Sequence, residues 1–258
     1  MNDSTPPPVI APSDAAATAA DLAERQPIAN SIAAFEAVLR QPRRIIYRLS
    51  QADAGDLIGR LILVAVTFNL LYGLVVGSFS GGVQWWAAPV KITGGLVVTA
   101  LICLPSLYIL ACLGGSRATL REIAGLVAGL VALMSILLIG FAPVAWVFSQ
   151  STESVATMGM LHILFALIAV AFGLRLVETG LASFGGNATA GLRVWTLVFL
   201  FVLMQMTTAL RPLVGTADTF LPTEKKFFLS HWWDTMDDSG RKTASQSGRA
   251  ADTLVLPR

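Results

Sequence analysis

The run WTLVFLFVLMQMTTAL, Trp195 to Leu210, carries no charged residue and stops at Arg211-Pro212. A helix needs about 20 apolar residues to cross a hydrocarbon layer roughly 30 Å thick, and this run with its flanks meets that length. Four comparable runs precede it. The sequence places spans near Leu57 to Phe79, Ala88 to Leu113, Leu120 to Phe148, Val155 to Leu181 and Leu192 to Leu210. Turn-forming clusters separate them: Ser80-Gly81-Gly82, Gly114-Gly115-Ser116, Ser149-Gln150-Ser151 and Gly185-Gly186-Asn187,. The predicted fold is all-α, a polytopic membrane helical bundle with a five-helix transmembrane domain over 57–212.

Composition agrees with that reading. Hydrophobic residues make up 55% of the 258 and charged residues 13%, with a mean hydropathy of +0.68; soluble domains have about a quarter charged. The net charge of +2 supplies no basic field for nucleic acid, so no nucleic-acid partner is expected,. Cys103 and Cys112 stand in one apolar run at a spacing that matches no zinc pattern,. They read as small buried hydrophobes, and neither a metal nor another cofactor is expected.

Both ends differ from the middle. Residues 1–27, rich in Ala, Pro, Ser and Thr, lack the apolar core of a signal peptide and predict a disordered cytoplasmic tail,. Over 28–56 the spacing of Ile28, Ile32, Phe35 and Leu39 predicts a helical stripe, which Pro42 breaks before a second stretch with Ile45, Ile46 and Leu49 on one side,. Arg43, Arg44 and Arg48 lie beside it. Two readings fit: an amphipathic interfacial segment whose arginines anchor in lipid phosphate, or a helix packed on the ends of the spans. After the last span, 213–236 is an aromatic segment in which Trp232 and Trp233 are expected at headgroup depth, and 237–258 predicts a second disordered tail. Arg211, held beside Pro212, is expected to anchor the end of the last span.

Basic residues are distributed unevenly. Arg40, Arg43, Arg44, Arg48, Arg60, Arg117, Arg121, Arg175 and Arg193 fall on one side of the predicted bundle, while loops Ser80 to Ala87 and Ser149 to Ser154 have none. Positive charge stays inside, so the N-terminus is expected in the cytoplasm, the C-terminus outside, and the chain in the inner (plasma) membrane.

An ionisable group at mid-membrane costs about 3 kcal/mol on insertion scales, so each such group is a candidate site. The candidates are His162 and Gln205, with Asn69 and Tyr72 in the first span; Lys91 lies near enough to a span end to snorkel. Arg175 and Glu178 are three residues apart on one helical face, the spacing of a mutually neutralising pair. A relay from His162 to Glu178 would have to bridge about 24 Å along the helix. His162 and Gln205 therefore read as hydrogen-bonding packing residues. Gly125 and Gly129, a GxxxG spacing, mark a close-packing face, and Pro105 and Pro143 are expected to bend their spans. No phosphate loop, HExxH or GxSxG occurs, and no enzyme activity is expected,.

The Pro-broken stretch FEAVLRQPRRIIYRL, 35–49, followed by five closely spaced spans, resembles the layout of the Yip-domain family over roughly residues 30–212. That resemblance implies a role in membrane organisation. The exit TTALRPLVG, 207–215, also resembles uncharacterised bacterial polytopic proteins with an Arg-Pro exit after the last span. The expected function is a non-enzymatic scaffold or membrane component of a larger assembly, with the bilayer and other membrane proteins, or a second copy, as partners. The alternative is a small transporter or permease subunit, although no internal repeat supports it.

Overall fold

The computed structural model describes residues 22, 24–80, 82, 84–151, 155–185 and 189–209. Two short helices, α1 (Ser31–Arg40) and α2 (Pro42–Leu49), precede five long ones: α3 (Ala54–Ser80), α4 (Gln84–Leu113), α5 (Leu120–Ser151), α6 (Val155–Ser183) and α7 (Thr189–Ala209). All five long helices have the length and apolarity to cross a bilayer,. The chain is a multi-pass membrane protein of all-α architecture. The five predicted spans correspond to α3–α7, with helix ends shifted by a few residues. The largest shift is at α4, which starts at Gln84 and carries Pro89 in its early turns. Helix α4 continues through Pro89 and Pro105, and α5 through Pro143.

Local sequence sets the ends. Asn30 caps α1, its side-chain oxygen accepting from the Ala33 N–H at 2.7 Å,. Pro42 opens α2 where its missing N–H is not needed,. Thr119 and Glu122 form a reciprocal capping box at the start of α5: the Thr119 N–H donates to Glu122 Oε2 at 2.6 Å, and the Glu122 N–H to Thr119 Oγ1 at 3.3 Å,. Beyond α4, Gly115 adopts φ +79, a left-handed conformation that a side chain would oppose, and the Ser116 N–H turns back to the Ala111 carbonyl,.

Helix α5 is the axis of the bundle. It packs against α3, α4 and α6, and its N-terminal end meets α1 and α2. In its most apolar stretch 72% of residues are buried, against 11% for α7, which lies along α4 and barely meets α6. Where helices approach, glycine makes room. A Cβ at Gly73 would stand 2.3 Å from the Pro89 Cα, so α3 and α4 touch backbone to backbone there. Leu126 and Leu130 of α5 fill the space left by Gly180 and Gly173 of α6.

The α1–α2 pair lies across the arginine-rich end of the bundle. Helix α1 buries Ala34, Ala37 and Val38, while Ile32 and Leu39 of the expected stripe are exposed, so its buried face is set by the neighbouring helices and not by the largest apolar side chains. Ile45, Ile46 and Leu49 are buried, and Leu49 fits against Gly125. Arginines fasten this clasp through backbone carbonyls, which remain acceptors whatever the side chains do. Arg44 donates to the carbonyls of Gln26 at 3.1 Å and Pro27 at 2.8 Å, Arg60 to that of Ile28, and Arg121 to those of Gln51 at 3.2 Å and Ala52 at 3.3 Å.

Candidate functional site: a polar cluster inside the bundle

Four polar side chains from three helices meet in the interior. Asn69 and Tyr72, three residues apart on one face of α3, are both buried, Asn69 completely,. Asn69 Nδ2 donates to Ser135 Oγ on α5 at 2.8 Å, and Ser135 Oγ donates to the Val131 carbonyl of its own helix at 2.7 Å. One turn along α3, a hydrogen bond of 2.6 Å joins Tyr72 Oη and His162 Nδ1 on α6. The Tyr72 and His162 rings meet edge to face with centroids 5.7 Å apart, and Phe165, stacked on Phe141 at 4.7 Å, flanks the imidazole,. Asn69 and Ser135 stand near the middle of helices of 27 and 32 residues, so the cluster lies well inside the membrane.

This arrangement binds helices together. Each bond replaces a polar group in hydrocarbon with a satisfied one, and such interhelical bonds contribute on average about 0.6 kcal/mol and up to about 1.7. Two atoms of the cluster have no protein group to bond: Asn69 Oδ1 and His162 Nε2, both buried. If the phenol donates to Nδ1, the imidazole carries its proton on Nε2; if Nδ1–H donates, Nε2 is a bare acceptor. Either way Nε2 retains a hydrogen-bonding capacity that Tyr72 does not use.

The other sequence candidates lie elsewhere. Arg175 and Glu178 are exposed on α6 and form no ion pair; the Arg175 guanidinium lies over the Phe172 ring, 5.7 Å from its centroid. The expected neutralising pair is thus replaced by a cation–π contact, and the partner of His162 is Tyr72 on α3. Lys91 is only 2% exposed, less than is expected of a snorkelling lysine,. Gln205 is half-buried on α7. Arg43 is exposed, Arg44 is engaged with the chain before α1, and Arg48 pairs with Asp53. A Cβ at Gly125 would meet Leu49 at 2.3 Å, and one at Gly129 would meet Leu176 at 2.9 Å. Arg211, Trp232 and Trp233 lie outside the described residues, as do the aromatic segment 213–236, the predicted tail 237–258 and, apart from residues 22 and 24–27, the predicted tail 1–27.

Two contributors were not singled out from sequence. Ser135 is the one hydroxyl in the middle of an otherwise apolar stretch, LVALMSILLIG, 130–140, and that isolation is a usable signal. Trp195 is completely buried where α7 meets α4: its Nε1–H donates to the Cys103 carbonyl at 2.9 Å and its ring stacks on Phe199. Nothing in the one-dimensional pattern names that carbonyl.

No protein-family description, curated protein or solved structure matches the chain.

Proposed function

We propose that the chain is a non-enzymatic membrane component of a larger assembly, in which α7 is the span that meets another membrane-embedded chain. The observation that carries this reading is the sparse burial of α7: among its described side chains Trp195 and Phe199 are buried, while Val194, Leu197 and Val198 are exposed. Lipid covers apolar side chains as readily as protein does, so exposure by itself demands no partner. What favours one is the contrast with α5, because among the described residues α7 packs mainly on α4 and leaves a wide face for association. The rigid clasp of α1 and α2 at the arginine-rich end suits the same role, as does the resemblance to Yip-domain architecture. The positive-inside rule supports placing that end, with the N-terminus, in the cytoplasm and the chain in the inner (plasma) membrane.

A photo-crosslinking residue at Leu197, compared with one at Leu101 on α4, tests this in native membranes. Both positions are exposed, at 69% and 63%. The expected result is a protein adduct from Leu197 and lipid adducts alone from Leu101, with a complex of matching mass on detergent extraction. Lipid adducts from both positions and a lone chain by native mass spectrometry would overturn the assembly reading.

The polar cluster favours a second reading, a small transporter or permease subunit, since buried ionisable groups in spans mark substrate or ion paths. On that reading His162 titrates or binds during turnover. Uptake activity lost in His162→Gln, with abundance and oligomeric state unchanged, would support it.

A further inference from the structure

Among the described residues, three buried side-chain nitrogen or oxygen atoms have no hydrogen-bond partner in the protein: Asn69 Oδ1, Thr93 Oγ1 and His162 Nε2. Two of the three belong to one cluster. A hydroxyl such as Thr93 can rotate toward a carbonyl of its own helix, but an amide oxygen and a ring nitrogen have no such local recourse. Leaving each of them bare in an apolar interior is unfavourable, and buried groups of this kind are ordinarily satisfied by internal water. The helix arrangement places these two atoms between helices. Helices α3 and α6 both pack on α5 but scarcely on each other, so the space between them is spanned by side chains and not closed by backbone.

We propose that the Asn69–Ser135–Tyr72–His162 cluster is a hydrated site within the membrane, where ordered water bonds His162 Nε2 and Asn69 Oδ1. Tyr72 then has a second role besides joining two helices: it occupies Nδ1 and so restricts solvent to one nitrogen of the ring. The ligand class follows from the two open atoms. A molecule serving an amide oxygen must donate, and one serving Nε2 must suit whichever tautomer is present. Water, which donates and accepts, meets both demands.

The test uses the full-length chain in lipid bilayers, labelled with ¹⁵N in histidine and asparagine side chains. The chain has two histidines, His162 and His231, so His231→Asn leaves a single imidazole signal. Magnetisation is transferred from water protons to the ring nitrogens by solid-state NMR. The expected result is rapid transfer to His162 Nε2, with Nδ1 reached only weakly. In Tyr72→Phe, Nδ1 is unblocked, and its transfer should rise toward that of Nε2. Absence of transfer to Nε2 in the His231→Asn protein overturns the proposal, and that measurement needs no change in the cluster. Equal transfer to both nitrogens while Tyr72 is present would also overturn it, because solvent would then reach the ring without the restriction the geometry imposes.

Discussion

Tyr72 Oη lies 2.6 Å from His162 Nδ1, although the helices carrying them share a neighbour and not a packing surface. The bond therefore reports on how α3 and α6 sit on α5. In a double-mutant cycle of Tyr72→Phe and His162→Leu, the coupling free energy should fall near 1 kcal/mol, within the range known for interhelical bonds in membranes. Unfolding in mixed micelles measures it. A coupling of zero would mean that the two groups do not bond in the folded protein. His162→Gln keeps an acceptor for the phenol and should retain more stability than His162→Leu.

Glycine substitutions should rank by what a methyl group would meet. At Gly73 the obstacle is the Pro89 backbone, which cannot rotate away, so Gly73→Ala should cost the most, about 3 kcal/mol or more by the measure of overpacked cores,. At Gly125 the neighbour is the end of the Leu49 side chain. A side-chain end can give way in part where backbone cannot, and Gly125→Ala should cost about 1–2 kcal/mol. Nothing lies within 4 Å of a Cβ at Gly94, so Gly94→Ala should be neutral or slightly stabilising,. Thermal unfolding of the three variants in one detergent gives the order, and a costly Gly94→Ala would contradict it.

The seam between α4 and α7 predicts a disulfide. A Cβ built at Gly191 stands 3.6 Å from that of Leu110, within the range such a bridge requires. With Cys112 replaced by serine, the pair Leu110→Cys and Gly191→Cys should crosslink on mild oxidation. Adding Trp195→Ala should sharply lower the yield, because the indole is one of the two buried side chains that hold α7. Trp195→Phe keeps the stacking on Phe199 and loses one hydrogen bond, about 1 kcal/mol, so it should crosslink nearly as well as the parent.

Orientation is open to a direct measurement. A tag ahead of Asn2 should be protected in sealed right-side-out vesicles, and a reporter fused after Asp237 should be accessible from outside. A reporter that is active only in the cytoplasm at Asp237 would be incompatible with five crossings.

The membrane helices were legible because each had to satisfy a requirement that acts along the chain: about 20 apolar residues, then a break. Trp195 to Leu210 needed no neighbour to be read as a span. Within the site, Asn69, Tyr72 and His162 stood out because polar groups in apolar runs are costly wherever they point. Their pairing was not legible, since no rule of spacing connects residue 72 to residue 162, and the charged residues on the same helix as His162, Arg175 and Glu178, lie exposed and take no part in it. Packing glycines divided in the same way. Gly125 and Gly129 advertise themselves by a fourfold spacing, whereas Gly73, Gly173 and Gly180 acquire meaning only from Pro89, Leu130 and Leu126 on other helices.

The seat of Leu49 has a consequence for biogenesis. Leu49 docks against Gly125, a residue of the third membrane helix, and Arg121 at the start of that helix holds the Gln51 and Ala52 carbonyls. A nascent chain leaving the ribosome therefore makes its clasp long before it makes the surface that receives it. Helices α1 and α2 can meet α3 as soon as it forms, Phe35 stacking on Phe68, but Leu49 must wait for its seat until two further spans have entered the bilayer. Their arginines and apolar side are suited to that interval, because they can rest on the lipid surface and leave it when α5 arrives.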